Sequence, residues 1–90
     1  MTQEELYKLY EKVKDIIENY SYDHTHYSCQ EAESDSFYGG FILFKVYGYS
    51  DDDPEEGWTE IWGIGIDGKI HIYTDDEVFD NFETFVRDWA

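Results

Sequence analysis

Ninety residues with a formal charge of −16 and one aromatic side chain in five read as one acidic domain, 1–90, that folds. A chain of this length buries only roughly 60–65% of the surface it exposes when unfolded, but each aromatic can bury on the order of 150–250 Å², and disorder needs high charge together with few such residues. The single cysteine, Cys29, excludes an intrachain disulfide and with it a secreted, disulfide-stapled scaffold. No apolar run approaches the roughly 18 residues of a membrane span, and acidic chains are repelled by nucleic acid and anionic lipid.

The expected partner is therefore a cationic protein surface, with no direct nucleic acid and no membrane. The expected location is a reducing compartment, the cytoplasm, since the polar, acidic opening Met-Thr-Gln-Glu-Glu does not read as a signal peptide. The charge is unevenly placed. The first twenty residues hold five acids and three lysines, whereas Ser21 to Ala90 hold seventeen acids and three bases, a charge of −14. Solubility alone is served by a magnitude of about 2 to 8, and like charge destabilises a compact state.

Thr2 followed by Glu5 forms a capping box, and Leu6, Leu9, Tyr10, Val13, Ile16, Ile17 and Tyr20 recur at helical steps, which predicts an amphipathic helix. Its outer face mixes signs, with Glu4 and Lys8 a favourable pair and Glu11 and Asp15 an unfavourable one. Residues 21–36 carry only weak alternation through Tyr22, His24, His26 and Ser28 and read as a loop, with a short edge strand left open.

From Phe37 to Tyr49 the chain alternates, Ile42, Phe44 and Val46 on one face and Phe41, Leu43, Lys45, Tyr47 and Tyr49 on the other, which predicts the central strand. The segment SDDDPEEG from Ser50 to Gly57 reads as a turn that stops the sheet. A second strand follows with Trp58, Glu60, Trp62, Ile64 and Ile66 in alternation. Asp67-Gly68 then joins it to a third, Lys69 to Thr74, in the spacing of a two-residue hairpin whose turn residues both tolerate positive φ.

Thr74 and Glu77 read as a second capping box, with Asp75 and Asp76 at the helix start and a stripe of Val78, Phe79, Phe82, Phe85, Val86 and Trp89. The expected class is α+β: a three-stranded antiparallel sheet, or four-stranded if residues 21–36 contribute, with an N-terminal and a C-terminal helix packed on one face. The other face is expected to leave Tyr47, Tyr49 and a tryptophan partly exposed.

No chemistry-bearing motif stands out. Asp51, Asp53 and Glu55 follow the first positions of a calcium loop, but its sixth and twelfth positions need Gly and Glu and are Glu56 and Trp62 here. His24, His26 and Cys29 lack the fourth ligand of structural zinc. No nucleophile turn or Gly-rich phosphate loop is present. Neither an enzyme nor a cofactor or metal is expected.

The order of elements, the Asp67-Gly68 hairpin, the acidic loop at 51–56 and the segment GKIHIYTDDEVFDNFETF resemble the small anti-CRISPR inhibitors of phages. Some of these occupy the DNA-recognition site of the CRISPR effector nuclease. The same features are similar to immunity proteins that neutralise bacterial nuclease toxins. The first resemblance implies a DNA mimic in the host-cell cytoplasm that competes for an Arg- and Lys-lined pocket.

The expected partner-binding residues are Asp51, Asp52, Asp53, Glu55, Glu56, Asp75, Asp76, Asp80 and Glu83 for charge, with Tyr49 and Trp58 as anchors. Asp76, Asp80 and Glu83 would form a helical ladder with about 5–6 Å between neighbours. The alternative function is a structural or regulatory interaction domain whose charge keeps it soluble. The oligomeric state is left open.

Overall fold

The computed structural model describes residues 1–22, 24–30, 37, 38 and 40–90, the pair at 37 and 38 by backbone alone. Asp23, Gly39 and residues 31–36 lie outside the described set, and with them the acids Glu31, Glu33 and Asp35 of the expected loop. The class is α+β, with two helices and a curled antiparallel sheet.

Helix α1 (Gln3–Asn19) starts where the sequence places it. The Thr2 hydroxyl accepts from the Glu5 N–H and the Glu5 carboxylate accepts from the Thr2 N–H, both at 3.2 Å. The Thr2 N–H first, and then the Thr2 hydroxyl, hold the Glu5 carboxyl below its ordinary pKa. Leu6, Tyr10, Val13 and Ile17 are buried against the sheet, while Glu4 and Lys8 pair at 3.7 Å on the outer side.

Six strands follow one antiparallel path, β1 (Ser21–Tyr22), β2 (Thr25–Cys29), β4 (Phe41–Ser50), β5 (Asp53–Gly65), β6 (Ile70–Ile72) and β7 (Glu77–Phe79). A short β3 (Phe37–Tyr38) pairs with β4 beside the path. The expected three or four strands are thus corrected upward. β1 pairs antiparallel with β2, which in turn pairs with β4 from Thr25 opposite Ser50 to Cys29 opposite Val46.

Between Phe41 and Gly48 the alternation is as expected, with Ile42, Phe44 and Val46 buried and Phe41, Leu43, Lys45 and Tyr47 exposed. On β5 the inward row is Glu60, Trp62 and Ile64. Three further expectations need correction. The acidic stretch does not stop the sheet: only Asp51 and Asp52 form the turn, because Ser50 pairs with Asp53 and the ladder resumes at Gly48 opposite Trp58. Residues 54–57 bulge opposite Tyr49, which accommodates Pro54 because no ladder N–H is needed there.

The β5–β6 loop is one residue longer than a two-residue hairpin. Gly68 N–H donates to the Gly65 carbonyl at 2.9 Å, and of the turn residues Ile66, Asp67 and Gly68 only Gly68 has positive φ, +85°. That is a turn closed by a residue in the left-handed region, where glycine is unstrained.

The Thr74–Glu77 pattern caps no helix. Residues 73–76 form the β6–β7 turn, with Asp76 at φ 53°, and Glu77–Phe79 are strand. Helix α2 (Phe82–Trp89) begins later at Asn81, whose side chain accepts from the Thr84 N–H at 2.9 Å. The proposed ladder of Asp76, Asp80 and Glu83 is therefore not helical, since only Glu83 lies on α2.

Both helices cover one face. Trp62 is fully buried at its centre and meets Phe85 edge-on at 6.0 Å and Trp89 at 5.3 Å. Each fully buried side chain of this size contributes roughly 1.5–3 kcal/mol. At one edge of this core Cys29 donates its backbone N–H to Glu18 Oε2 at 3.2 Å.

Burial, with Glu18 nearby, pushes the Cys29 thiol up to about 12. Burial and then Glu60 raise the Tyr27 hydroxyl in the same sense. A proton held more tightly in the folded chain contributes stability that is complete below the unfolded pKa and lost as pH rises through the folded one. For Cys29 that window runs from about pH 9 to about 12. Labelling of Cys29 by a disulfide reagent at pH 8 is accordingly expected to be on the order of a hundredfold slower in native than in urea-unfolded protein. Equal rates would show that the thiol is not protected.

Candidate partner-binding surface

The tip of the β4–β5 hairpin gathers the first acids. Asp51 Oδ2 lies 2.7 Å from His26 Nε2, and the Asp51 N–H donates to the His24 carbonyl at 2.9 Å, which ties the tip to the β1–β2 turn. The Asp52 N–H donates to Ser50 Oγ at 3.2 Å. Asp53, Glu55 and Glu56 are exposed along the bulged beginning of β5.

Asp75 and Asp76 are carried by the β6–β7 turn. The Tyr73 N–H donates to the Ile61 carbonyl at 2.8 Å, so the β6–β7 turn stands beside β5 near Ile61. At about 3.3 Å per residue, Glu56 is at most roughly 16 Å further along that strand. Asp80 follows Phe79, which pairs with Ile70, and so lies toward the opposite end, and Glu83 occupies the first turn of α2, where a negative charge favours the helix dipole. Five of the nine expected acids, at 51–53, 55 and 56, gather at the hairpin tip; Asp75 and Asp76 stand on the β6–β7 turn beside the middle of β5, and Asp80 and Glu83 lie elsewhere.

The two expected anchors sit on opposite faces. Tyr49, half-buried, is on the outer face with Tyr47, their rings stacked at 6.0 Å, and lies 5.6 Å from His26. Trp58 is on the helix-covered face but 40% exposed, its indole lying over Gly48, where a Cβ would come within 2.5 Å.

Trp58 is held by a residue that sequence reasoning passed over. Glu60, 9% exposed, accepts from Trp58 Nε1 at 2.8 Å and from Trp62 Nε1 at 2.9 Å. A buried carboxylate bridged by two indoles fixes an exposed tryptophan to a fully buried one. The signal was the spacing Trp-x-Glu-x-Trp, which on a strand puts all three side chains on one face.

His26 faces the outer side of β2 and Cys29 the inner, so His24, His26 and Cys29 do not converge. Among the described residues no three His, Cys, Asp or Glu side chains group as metal ligands, and no helix is long and apolar enough to cross a membrane. No family model, curated protein or solved structure matches the chain.

Proposed function

We propose that this protein is a non-enzymatic inhibitor that binds a nucleic-acid-processing protein, in the first place a CRISPR effector nuclease, and blocks nucleic-acid binding by placing carboxylates where phosphates would lie. The observation that carries this reading is the run of five exposed acids at the hairpin tip, Asp51, Asp52, Asp53, Glu55 and Glu56, with Asp75 and Asp76 exposed on the β6–β7 turn further along β5. Among the described residues only His26 pairs with any of them, and no lysine or arginine does. One DNA strand offers a phosphate per roughly 3.4 Å of helix axis, and the tip offers five carboxylates within the six residues 51–56. The charges would steer association, and desolvated aromatics such as Trp58 would slow release. The reading assigns no catalytic residue, cofactor or metal, and places the protein in the cytoplasm of the host cell.

The test is competition. A labelled duplex carrying the recognition sequence is bound to a guide-loaded effector nuclease and titrated with the protein. Displacement that weakens steeply with salt is expected. No displacement, together with neutralisation of a nuclease toxin, would transfer the reading to the immunity proteins.

A second reading, a soluble interaction or regulatory domain, is favoured by a different observation. β6 pairs only with residues 62–64 of β5, so from Asp53 to Glu60 one edge of β5 has no strand beside it among the described residues. Charge on such an edge prevents pairing with another chain. Neutral amides at 53, 55 and 56 would then cause aggregation without changing any target affinity.

Both readings require uncompensated carboxylates. The melting temperature is accordingly expected to rise with added salt, which screens surface charge over about 10 Å at 0.1 M. Calorimetry between low and moderate salt checks this, and an unchanged midpoint would show that the acids do not repel one another appreciably.

A further inference from the structure

Five of the large apolar side chains that stay exposed, Phe41, Leu43, Tyr47, Tyr73 and Val78, share the sheet face turned away from the helices. Each alternates with a buried neighbour on its strand or follows one: Ile42, Phe44, Val46, Ile72 and Phe79. Leu43 and Tyr73 meet across strands because Gly63 lets its neighbours close over it, whereas Lys45 stands between Leu43 and Tyr47 in the outward row of β4. A Cβ there would stand 2.7 Å from the Tyr73 ring and 3.1 Å from Leu43 Cδ2. His71 stacks on Tyr73, 5.3 Å and 7° apart, and meets Phe41 edge-on at 6.3 Å. Tyr73 is 47% and Leu43 42% exposed, and no helix covers this face among the described residues. Contiguous apolar surface of this kind marks interaction sites.

Charge identifies the occupant. The Asp67 carboxylate overhangs Gly65, where a Cβ would lie 2.5 Å from Oδ1 and 3.3 Å from the Phe41 ring, so an acid abuts the patch at one end. Asp76 follows Tyr73 in the same β6–β7 turn, three residues on, and Asp51 holds His26 at the other end of the face. Lys45 and Lys69 are the cations on or next to it. A second copy would bring these acids against their equivalents on a chain that also carries −16, which disfavours self-association.

We propose that the outer face of the sheet docks a cationic polypeptide presenting an aliphatic or aromatic side chain between lysines or arginines. The apolar group seats on Leu43 and Tyr73, while the cations reach Asp67, Asp76 and the faces of the exposed rings. This rests on the proposed recognition of a cationic protein, and it moves the apolar contact from Trp58 to the opposite side of the sheet.

Two short synthetic peptides of equal charge test it, one alternating Lys with Leu and the other Lys with Ser, each titrated at low salt into isotope-labelled protein. The Lys/Leu peptide is expected to bind roughly tenfold more tightly and to shift the amides of Leu43, Ile61, Gly63 and Tyr73. Leu43→Ser with Tyr73→Ser, which alter exposed side chains and whose spectrum reports the fold, are expected to abolish the difference. Equal binding of both peptides with shifts confined to residues 51–56 overturns the docking face and leaves the acidic recognition standing. Binding of neither peptide overturns both. A doubling of mass in sedimentation that perturbs the same amides without peptide overturns the assignment of the occupant.

Discussion

Reversal of Asp52, Asp53 and Glu56 to lysine together is expected to slow association with the basic target by on the order of 10- to 1000-fold at low salt, the range that electrostatic steering supplies. The variant moves the net charge from −16 to −10 at the point where the hairpin projects. The fold should survive. All three residues are exposed, and the bond from the Asp52 N–H to Ser50 Oγ and the ladder pairing of Asp53 with Ser50 are made by the backbone of the replaced residues. A control with the same net charge, Glu4, Glu11 and Asp15 of α1 reversed, separates position from total charge, because that helix face already mixes signs. Stopped-flow association with a purified guide-loaded nuclease reads the result. An unchanged rate for the tip variant, or an equal loss in the control, would remove the acidic tip from the interface.

Local chemistry made part of this architecture legible. Thr2 and Glu5 needed only their own hydrogen bonds to start α1, and the row Ile42, Phe44, Val46 needed only one buried face. The failures came where a local pattern was outvoted by pairing at a distance. Thr74 to Glu77 satisfies a capping box on paper, yet Ile70, His71 and Ile72 find partners in Phe79, Val78 and Glu77. That hairpin places Val78 outside and Phe79 inside, a split that helical periodicity cannot reveal. Asn81 then caps what is left.

Pro54 misled in the same way. It forbids a ladder bond, and the chain arches residues 54–57 out of the ladder while both flanks stay paired. The candidate site was legible as composition but not as placement. Nine acids could be named, whereas the turn that carries Asp75 and Asp76 beside β5 near Ile61, away from Asp80, depends on that misread hairpin. Gly63 in an apolar strand was itself a signal of close approach, and the side chains approaching it, Leu43 and Tyr73, come from two other strands.

Truncation of Trp62 to alanine is expected to cost about 3–5 kcal/mol, the range for a large aromatic removed from a packed core. A domain of this length has a total stability of roughly 5–13 kcal/mol, so the loss is a large share of the whole and should lower the melting temperature by roughly 12–40 °C. Two effects add. The cavity opens where Phe44, Phe85 and Trp89 converge on the indole, and Glu60 Oε1 loses its donor while remaining 9% exposed. Phenylalanine separates them, because Trp62→Phe keeps most of the ring and removes the N–H; it is expected to cost about 1–3 kcal/mol, the penalty of a buried group left short of a partner. Trp58→Phe removes the other donor to the same carboxylate, but at a site 40% open to solvent, where water replaces the lost bond and the cost falls below about 1 kcal/mol. The order Trp62→Ala, Trp62→Phe, Trp58→Phe in urea midpoints at constant slope is therefore the expected result. Equal midpoints for the two phenylalanine variants would show that Glu60 is solvated at both oxygens and does not tie the exposed indole to the core.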